Sequence, residues 1–173
     1  MPAGSTYTPL ANQVLGSAQS SVTFSSIAAT YTDLILVINT RSSSTSASDT
    51  KLYVNFNGDT GSNYSQTFLF GNGSTAGSSR QSSQTQIYAA DISATGGSSY
   101  TGLSTVILQF QNYSNTTTNK TMLSRVSSPN VLVEAVVGLW RSTSAITSIA
   151  LDLEGTPQFI AGSTFTLYGI ASA

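Results

Sequence analysis

The sequence predicts an all-β fold: an antiparallel β-sandwich, jelly-roll-like, with about 8–10 strands. Apolar residues fall in short blocks, many of which alternate with polar residues at the period of two that marks a half-buried strand. Turns rich in Gly, Ser and Asn separate the blocks, and no stretch of ten residues combines a helical period with caps. A chain of 173 residues is long enough for one such sandwich with a sizeable core.

The first half of the chain contains five candidate strands. Residues 33–40, DLILVINT, are mostly apolar, which predicts a strand buried on both faces. Residues 51–56 alternate more clearly, with Leu52, Val54 and Phe56 on one side. The other strands predicted in this half are residues 21–24, 64–70 and 85–90.

The second half contains five more. Residues 131–140 form a long, mostly apolar block, and residues 164–170 place Phe165 and Leu167 on one side of a strand. The remaining candidates are residues 103–113, 120–126 and 145–153.

The connections follow from turn chemistry. Asn57-Gly58 predicts a type I′ hairpin turn, because both central residues of that turn need positive φ. Residues 42–49 predict a loop, and residues 72–83 a long and mobile one, because both are rich in Ser and poor in apolar side chains. We expect residues 1–18 to be an irregular N-terminal arm, helical over a turn or two at most, and residues 19–173 to be a single β-sandwich domain.

Composition argues against catalysis. The chain has no Cys and no His, so disulfides, thiolate metal sites and a Ser-His-Asp triad cannot be built. Its 31 Ser and 24 Thr therefore supply hydroxyl groups without the base that usually activates them. We expect no enzymatic activity, no catalytic residue, no cofactor and no metal.

The charge and the apolar runs of the chain limit the kinds of partner that we expect. Six basic residues are spread singly along the chain and the net charge is −1, whereas nucleic-acid binding depends on clustered phosphate contacts. The longest apolar run, residues 34–38, is far shorter than the ~20 residues that span a membrane, and the N-terminus does not resemble a signal peptide. We expect a protein made in the cytoplasm, with no nucleic acid and no membrane as partner. A surface so poor in charge favours association with other subunits.

Two groups of carboxylates are candidates for chemistry. Residues 55–63 carry oxygen ligands at alternate positions, as calcium loops do, but Thr60 and Gln66 stand where an EF-hand needs Gly and Glu. A polar turn is therefore the better interpretation. Asp152 and Glu154 have the spacing of a carboxylate pair on one strand face, with nothing else typical of a glycosidase nearby.

Glu134 and the aromatic residues form the last group of candidates. Glu134 lies in an apolar strand, and we expect it to form an ion pair with Arg125 or Arg141, because a buried carboxylate needs a partner. Aromatic side chains pack in a core or, when exposed, bind sugars or other subunits. The aromatic candidates are Tyr53, Tyr64, Tyr88, Tyr100, Tyr113, Trp140 and Tyr168.

The chain resembles small β-rich virion proteins of tailed bacteriophages, which are capsid decoration (cement) proteins and head domains of tail fibres. The resemblance implies a jelly-roll-like fold and a homotrimer, and it supplies no catalytic motif. It rests on residues 55–65 (NFNGDTGSNYS), 112–121 (NYSNTTTNKT), 139–143 (LWRST) and 162–170 (GSTFTLYGI), and residues 7–10 and 33–35 fit the same pattern.

The leading hypothesis is a non-enzymatic virion structural protein, most simply a decoration (cement) protein that binds the major capsid protein or other virion proteins and stabilises the outer shell. In this hypothesis the chain lies on the capsid exterior at local threefold positions, and residues 1–18 contact a neighbour. The alternative is a tail or tail-fibre receptor-binding module that recognises host surface glycans through Tyr113 or Trp140. Either way, the resemblance implies a location in the virion, which is assembled in the host cytoplasm.

Overall fold

The computed structural model describes residues 6–96, 102–129 and 131–171. Over these ranges it contains twelve strands in two antiparallel sheets and no helix, which confirms the predicted all-β sandwich. The strands are β1 (Tyr7–Val14), β2 (Ser21–Phe24), β3 (Asp33–Thr40), β4 (Asp49–Phe56), β5 (Tyr64–Gly71), β6 (Ala76–Gln84), β7 (Ile87–Ser93), β8 (Ser104–Gln111), β9 (Lys120–Ser128), β10 (Leu132–Trp140), β11 (Ile149–Leu153) and β12 (Thr164–Ile170).

Eight of the strands are connected as a jelly roll. Strands β1 to β4 belong alternately to the two sheets. The eight jelly-roll strands lie in the order β1-β12-β3-β8 in one sheet and β2-β11-β4-β7 in the other. The remaining four strands are two insertions: β5 and β6 follow β4, and β9 and β10 follow β8. They join the first sheet in the order β8-β9-β10-β5-β6, so one sheet has eight strands and the other has four.

The core lies between the two sheets. On β3 the alternate residues Leu34, Leu36 and Ile38 are fully buried, and on β4 Leu52, Val54 and Phe56 are. The prediction that residues 33–40 are buried on both faces is wrong, because Ile35 and Val37 point away from the core and are only half-buried. The sandwich has two layers, so a second apolar face of the large sheet has no third layer to cover it.

One glycine sets the spacing between the sheets. Gly138 on β10 lies beneath Ile87 of β7, and a Cβ at Gly138 would be 2.7 Å from Ile87 Cγ2. The missing side chain lets the edge of the small sheet approach the large one closely.

The N-terminal arm predicted for residues 1–18 is wrong over Tyr7–Val14. These residues form β1, which pairs with β12 from Tyr7 opposite Ile170 to Val14 opposite Thr164. Pro9 and a break in register between Pro9 and Ala11 disturb the alternation that would have marked the strand. Residues 1–5 of the predicted arm lie outside the described residues.

The long loop predicted for residues 72–83 is also mostly strand. Ala76–Gln84 form β6, which pairs with β5, and only the turn that begins at Asn72 is loop. The side chain of Asn72 accepts hydrogen bonds from the backbone N–H of Ser74 (3.1 Å) and Thr75 (2.7 Å), which fixes that turn.

The predicted turn at Asn57-Gly58 forms, but it does not make a hairpin. Both residues have positive φ (54° and 67°), and Asp59 N donates to Phe56 O at 2.9 Å. However, β4 belongs to the small sheet and β5 to the large one, so the turn carries the chain from one layer to the other.

Candidate interaction surface

The outer face of the large sheet carries an exposed apolar patch on the inserted strands. Val133 and Val137 of β10 are 61% and 55% exposed, and Leu69 of β5 is 60% exposed. Side chains alternate along a strand, so these three point away from the core, while their neighbours Glu134 and Val136 point into the molecule and are buried.

Strand pairing makes this patch continuous. Val137 lies opposite Leu123 of β9, and Ala135 lies opposite Leu69 of β5. We call the set the apolar face; it consists of Leu69, Ile107, Leu123, Val133, Ala135, Val137 and Leu139, all of them exposed or half-buried. Arg125, opposite Ala135 and Ile107, is the charged residue among them.

The size of the outer face is that of a protein–protein interface. Eight strands about 4.8 Å apart and roughly eight residues long, at about 3.3 Å per residue, cover roughly 900 Å² in projection. A standard interface buries about 800 Å² on each partner. The apolar face lies on four of these strands (β8, β9, β10 and β5) and so covers about half of that area. Exposed apolar patches of a few hundred Å² are often interaction sites.

A second feature is a groove where the large sheet extends beyond the small one. It lies beside β7, the edge strand of the small sheet, and has a volume of about 340 Å³. The rings of Phe68 and Phe70 form one wall, and Tyr88 packs on Phe68 with ring centroids 5.1 Å apart. Asp49, Asp91 and Glu134 line the same groove.

Glu134 is held by hydrogen bonds and not by the expected ion pair. Its carboxylate accepts from Tyr88 Oη at 2.6 Å and from the backbone N–H of Asp91 at 3.1 Å. Arg125 and Arg141, both in the described part of the chain, form no ion pair with it. Arg141 donates instead to Ser65 Oγ at 3.1 Å. Burial raises the pKa of Glu134 to about 7, against the opposing effect of the bond from Tyr88.

The bond from Asp91 belongs to a row that closes the free edge of β7. Ser93 N donates to Ser104 Oγ at 2.8 Å, that hydroxyl is 2.8 Å from Ser128 Oγ, and Ser128 in turn donates to the carbonyl of Asp91. Side chains of the large sheet thus satisfy backbone groups that an edge strand would otherwise expose. Glu134 and the two serines of β8 and β9 therefore have a structural role in the sandwich.

The aromatic residues proposed for glycan contact are in the core. Tyr113 is fully buried and Trp140 is 2% exposed, so neither can bind a ligand at the surface. Tyr64 and Tyr88 are also buried, Tyr53 and Tyr168 are half-buried, and Tyr100 lies outside the described residues. The partly exposed rings that the groove does offer, Phe68 and Phe70, were not among the residues proposed from the sequence.

The calcium-like segment is a hydrogen-bonded turn. Asp59 accepts from Trp140 Nε1 (2.7 Å), Gly61 N (2.8 Å) and Asn63 Nδ2 (3.0 Å), and these bonds, chiefly that of Trp140, hold the pKa of Asp59 below its usual value. Within the residues described, no group of three or more acidic side chains is placed to hold a metal ion.

The carboxylates at positions 152 and 154 have separate partners. Glu154 forms an ion pair with Lys51 at 2.8 Å, and Asp152 accepts from Gln86 Nε2 at 3.1 Å. Each carboxylate has its own partner within the sandwich, so the structure does not bring the two together in one substrate site.

No protein-family model matches the chain, and no curated protein matches it significantly. Over the described residues, the structure contains no helix that could cross a membrane. The candidate functional site is therefore defined by geometry: the apolar face on the inserted strands, with the groove beside β7 as a second feature.

Proposed function

We propose that the chain is a non-enzymatic structural subunit of a tailed-bacteriophage virion, a decoration (cement) protein whose copies associate through the apolar face. The observation that carries the proposal is the uncovered patch around Val133, Val137 and Leu69, which lies on strands added to the jelly roll. The resemblance of residues 55–65 and 112–121 to phage virion proteins supports the virion as its location.

The partner proposed for the apolar face is a second copy of this chain, within a homotrimer. The outer face as a whole, roughly 900 Å² in projection, is large enough for one side of a stable interface, and the apolar face is its most apolar part. The face is also nearly free of charge, so identical copies bring few like charges together. Arg125, its central charged residue, is of the type that interface cores tolerate best. The assembled subunit would then bind the major capsid protein with its remaining surfaces and stabilise the shell by favouring the bound state.

A charge substitution tests the association. Light scattering after size exclusion, at low protein concentration, should give a mass of three times 18.0 kDa for the unmodified chain. Val137→Glu should reduce this to the monomer mass, because association would remove the new carboxylate from water, a cost that the diagonal neighbour Arg125 offsets only in part. Val14→Glu is the matched control: Val14 is 62% exposed but lies on β1, outside the apolar face, and the substitution should leave the mass unchanged. An unmodified chain that is monomeric would exclude the association through this face.

The place in the virion needs a different measurement. In purified particles that contain the chain, we expect hundreds of copies on the head, located by density fitting and counted on quantitative gels. A few copies at the tail tip would contradict the decoration hypothesis and favour the receptor-binding alternative.

The groove supports that alternative as a second candidate function, the recognition of a host surface glycan. Sugar rings stack on exposed aromatic faces and donate hydroxyl hydrogen bonds to carboxylates, and Phe70 stands beside Asp49 and Asp91 in a groove of about 340 Å³. Titration with neutral hexoses, followed by NMR, should shift the resonances of Phe68 and Phe70, and Phe70→Ala should abolish the shift. Unchanged spectra at high sugar concentration would exclude this candidate.

A further inference from the structure

The two sheets have four edge strands, and three of these edges are closed. β1 contains Pro9, which has no N–H to offer, and a break in register after it. β2 is only four residues long, and Gln13 Nε2 donates to the carbonyl of Thr23 at 3.0 Å. The edge of β7 is closed by Glu134 and the serines of the large sheet.

The fourth edge, β6, is open. Its nine residues pair with β5 on one side, and no other strand of the described residues lies beside them. It contains no proline, Arg80 is its one charged residue, and nearly all its side chains are exposed. A register shift near its C-terminal end, where Ser83 has a φ of 55°, leaves Ala76–Gln81 as the regular part. A long, regular and uncovered edge is a template for pairing with another strand.

We propose that β6 pairs antiparallel with β6 of a second copy, joining two eight-stranded sheets into one sheet of sixteen strands. A second copy is the partner because the segment has only one charge, Arg80, so identical strands bring few like charges together, and because its Ser and Gln side chains both donate and accept hydrogen bonds. In edge-to-edge pairing of this kind, the affinity comes from hydrogen bonds between the backbone N–H and C=O groups of the two strands. This surface is distinct from the apolar face, so the proposal is independent of the proposed function: pairing at β6 would join two chains, or two trimers, as the protein concentration increases.

The position of Arg80 excludes one register of the pair. The two copies are related by a 180° rotation about an axis normal to the joined sheet. This rotation leaves every side chain on the same face of the sheet, so each residue lies opposite a residue whose side chain points to that face. A register centred on Arg80 would place two arginines directly opposite each other, which is destabilising. A register centred on Ser79 uses the regular segment and places Arg80 opposite Ser78 of the second copy. In this arrangement the outer faces of both copies lie on the same side of the joined sheet.

Single cysteines test the pairing, because the natural chain has none to interfere. In Ser79→Cys the two thiols would be directly opposite, with Cβ atoms about 4.5–5.5 Å apart, within reach of a short bifunctional thiol reagent. We expect treatment of the folded protein to double its mass on a denaturing gel. Thr23→Cys, an exposed position on the closed edge β2, is the matched control and should remain at the single-chain mass. Equal cross-linking of both variants, or none at Ser79, would overturn the proposal.

A pair of prolines gives a second test. Successive N–H groups along a strand point to opposite sides, so of Ser78 and Ser79 one bonds to β5 and the other faces the open edge. Proline at the outward-facing position should preserve the melting temperature and abolish the pairing in analytical ultracentrifugation, whereas proline at the other position should lower the melting temperature. If the proline variant that keeps its melting temperature still pairs, β6 is not the contact. This conclusion holds whether or not the apolar face also associates.

Discussion

At the scale of single residues, Glu134 has the most consequential environment. It extends from the large sheet to the edge of the small one and accepts from both Tyr88 and the backbone of Asp91. The bonds stabilise its charged form, while burial disfavours it, and burial prevails because the pKa rises to about 7. Burial also raises the pKa of Asp91, which lines the same groove.

The raised pKa predicts that stability falls with increasing pH. Between the ordinary value of 4.5 and about 7, the folded protein keeps a proton on Glu134 that the unfolded chain releases. The contribution of Glu134 to the free energy of unfolding should therefore be highest below about pH 4.5 and decline, on the order of 3 kcal/mol, as the pH rises through 7. Asp91 contributes in the same direction. Urea unfolding at a series of pH values measures the decline.

Glu134→Gln separates this effect from other titrations. The amide resembles the protonated carboxyl that Glu134 keeps in the folded protein at pH 5, with one carbonyl acceptor and one donor group. The variant should therefore be close in stability to the unmodified chain at pH 5, and its stability should decline much less towards pH 8. Glu154→Gln, which alters the exposed partner of Lys51, should retain the full slope. Parallel curves for Glu134→Gln and the unmodified chain would mean that another group is responsible.

Sequence alone could identify Glu134 as unusual but could not find its partners. Alternation along residues 131–140 shows which side chains share a face, and it places a carboxylate among apolar neighbours. It gives no information about the opposite layer, from which Tyr88 and Asp91 come. The same limit explains the error for Trp140, because its indole ring packs on Phe56 of the opposite sheet, with ring centroids 5.5 Å apart.

At the scale of elements, the two insertions account for most of what distinguishes this sandwich. β5 and β6, with β9 and β10, widen one sheet to eight strands and so create the apolar face, the groove and the open edge together. The insertions are held against the small sheet where β7 crosses β10 at Gly138.

Gly138→Ala should therefore destabilise the protein. The added Cβ would be 2.7 Å from Ile87 Cγ2 and 2.8 Å from its Cδ1, and overpacking of this kind costs about 1–3 kcal/mol. Removing a methyl group by Ile87→Val in the same chain should restore part of the loss. Gly71→Ala, where the nearest neighbour would be 3.9 Å away, is the matched control. Thermal unfolding measures all three variants, and equal effects at both glycines would contradict this account of the packing.

The elements that sequence analysis missed are those with no buried face. Most of the buried strands were predicted because alternation between core and surface is visible in the residues themselves. β6 was predicted as a loop because neither of its faces is buried, so nothing in AGSSRQSSQ marks a strand. The apolar face did have a signal: residues 131–140 are apolar on both faces, and in a sandwich of two layers the second face has no cover within the fold.

At the scale of the whole molecule, the central strands of the large sheet are protected from solvent, whereas the strands at its two edges are exposed. β3 and β8 lie inside it, between paired strands on both sides and above the core, whereas β1 and β6 are its two margins. Local opening should therefore be rare at the centre and frequent at the edges.

Amide hydrogen exchange should follow this gradient. At low protein concentration, amides of β3 and β8 should exchange roughly 100-fold more slowly than those of β6, because only global unfolding exposes them. Increasing the concentration should slow exchange in β6 if its edge pairs between copies, while β1 should be unaffected because Pro9 closes it. Uniform protection across the sheet would contradict both expectations.

The pairing of the first strand with the last has a practical consequence for fusion and permutation. Tyr7 lies opposite Ile170, so a short linker could join these positions and the chain could be reopened in the exposed turn at Gly73 without losing a strand pair. In the chain with its natural connections, a guest peptide attached beside Tyr7 or Ile170 would emerge at the margin formed by β1. That margin is about 34 Å, seven strand spacings, from β6, so the guest would leave the opposite margin free.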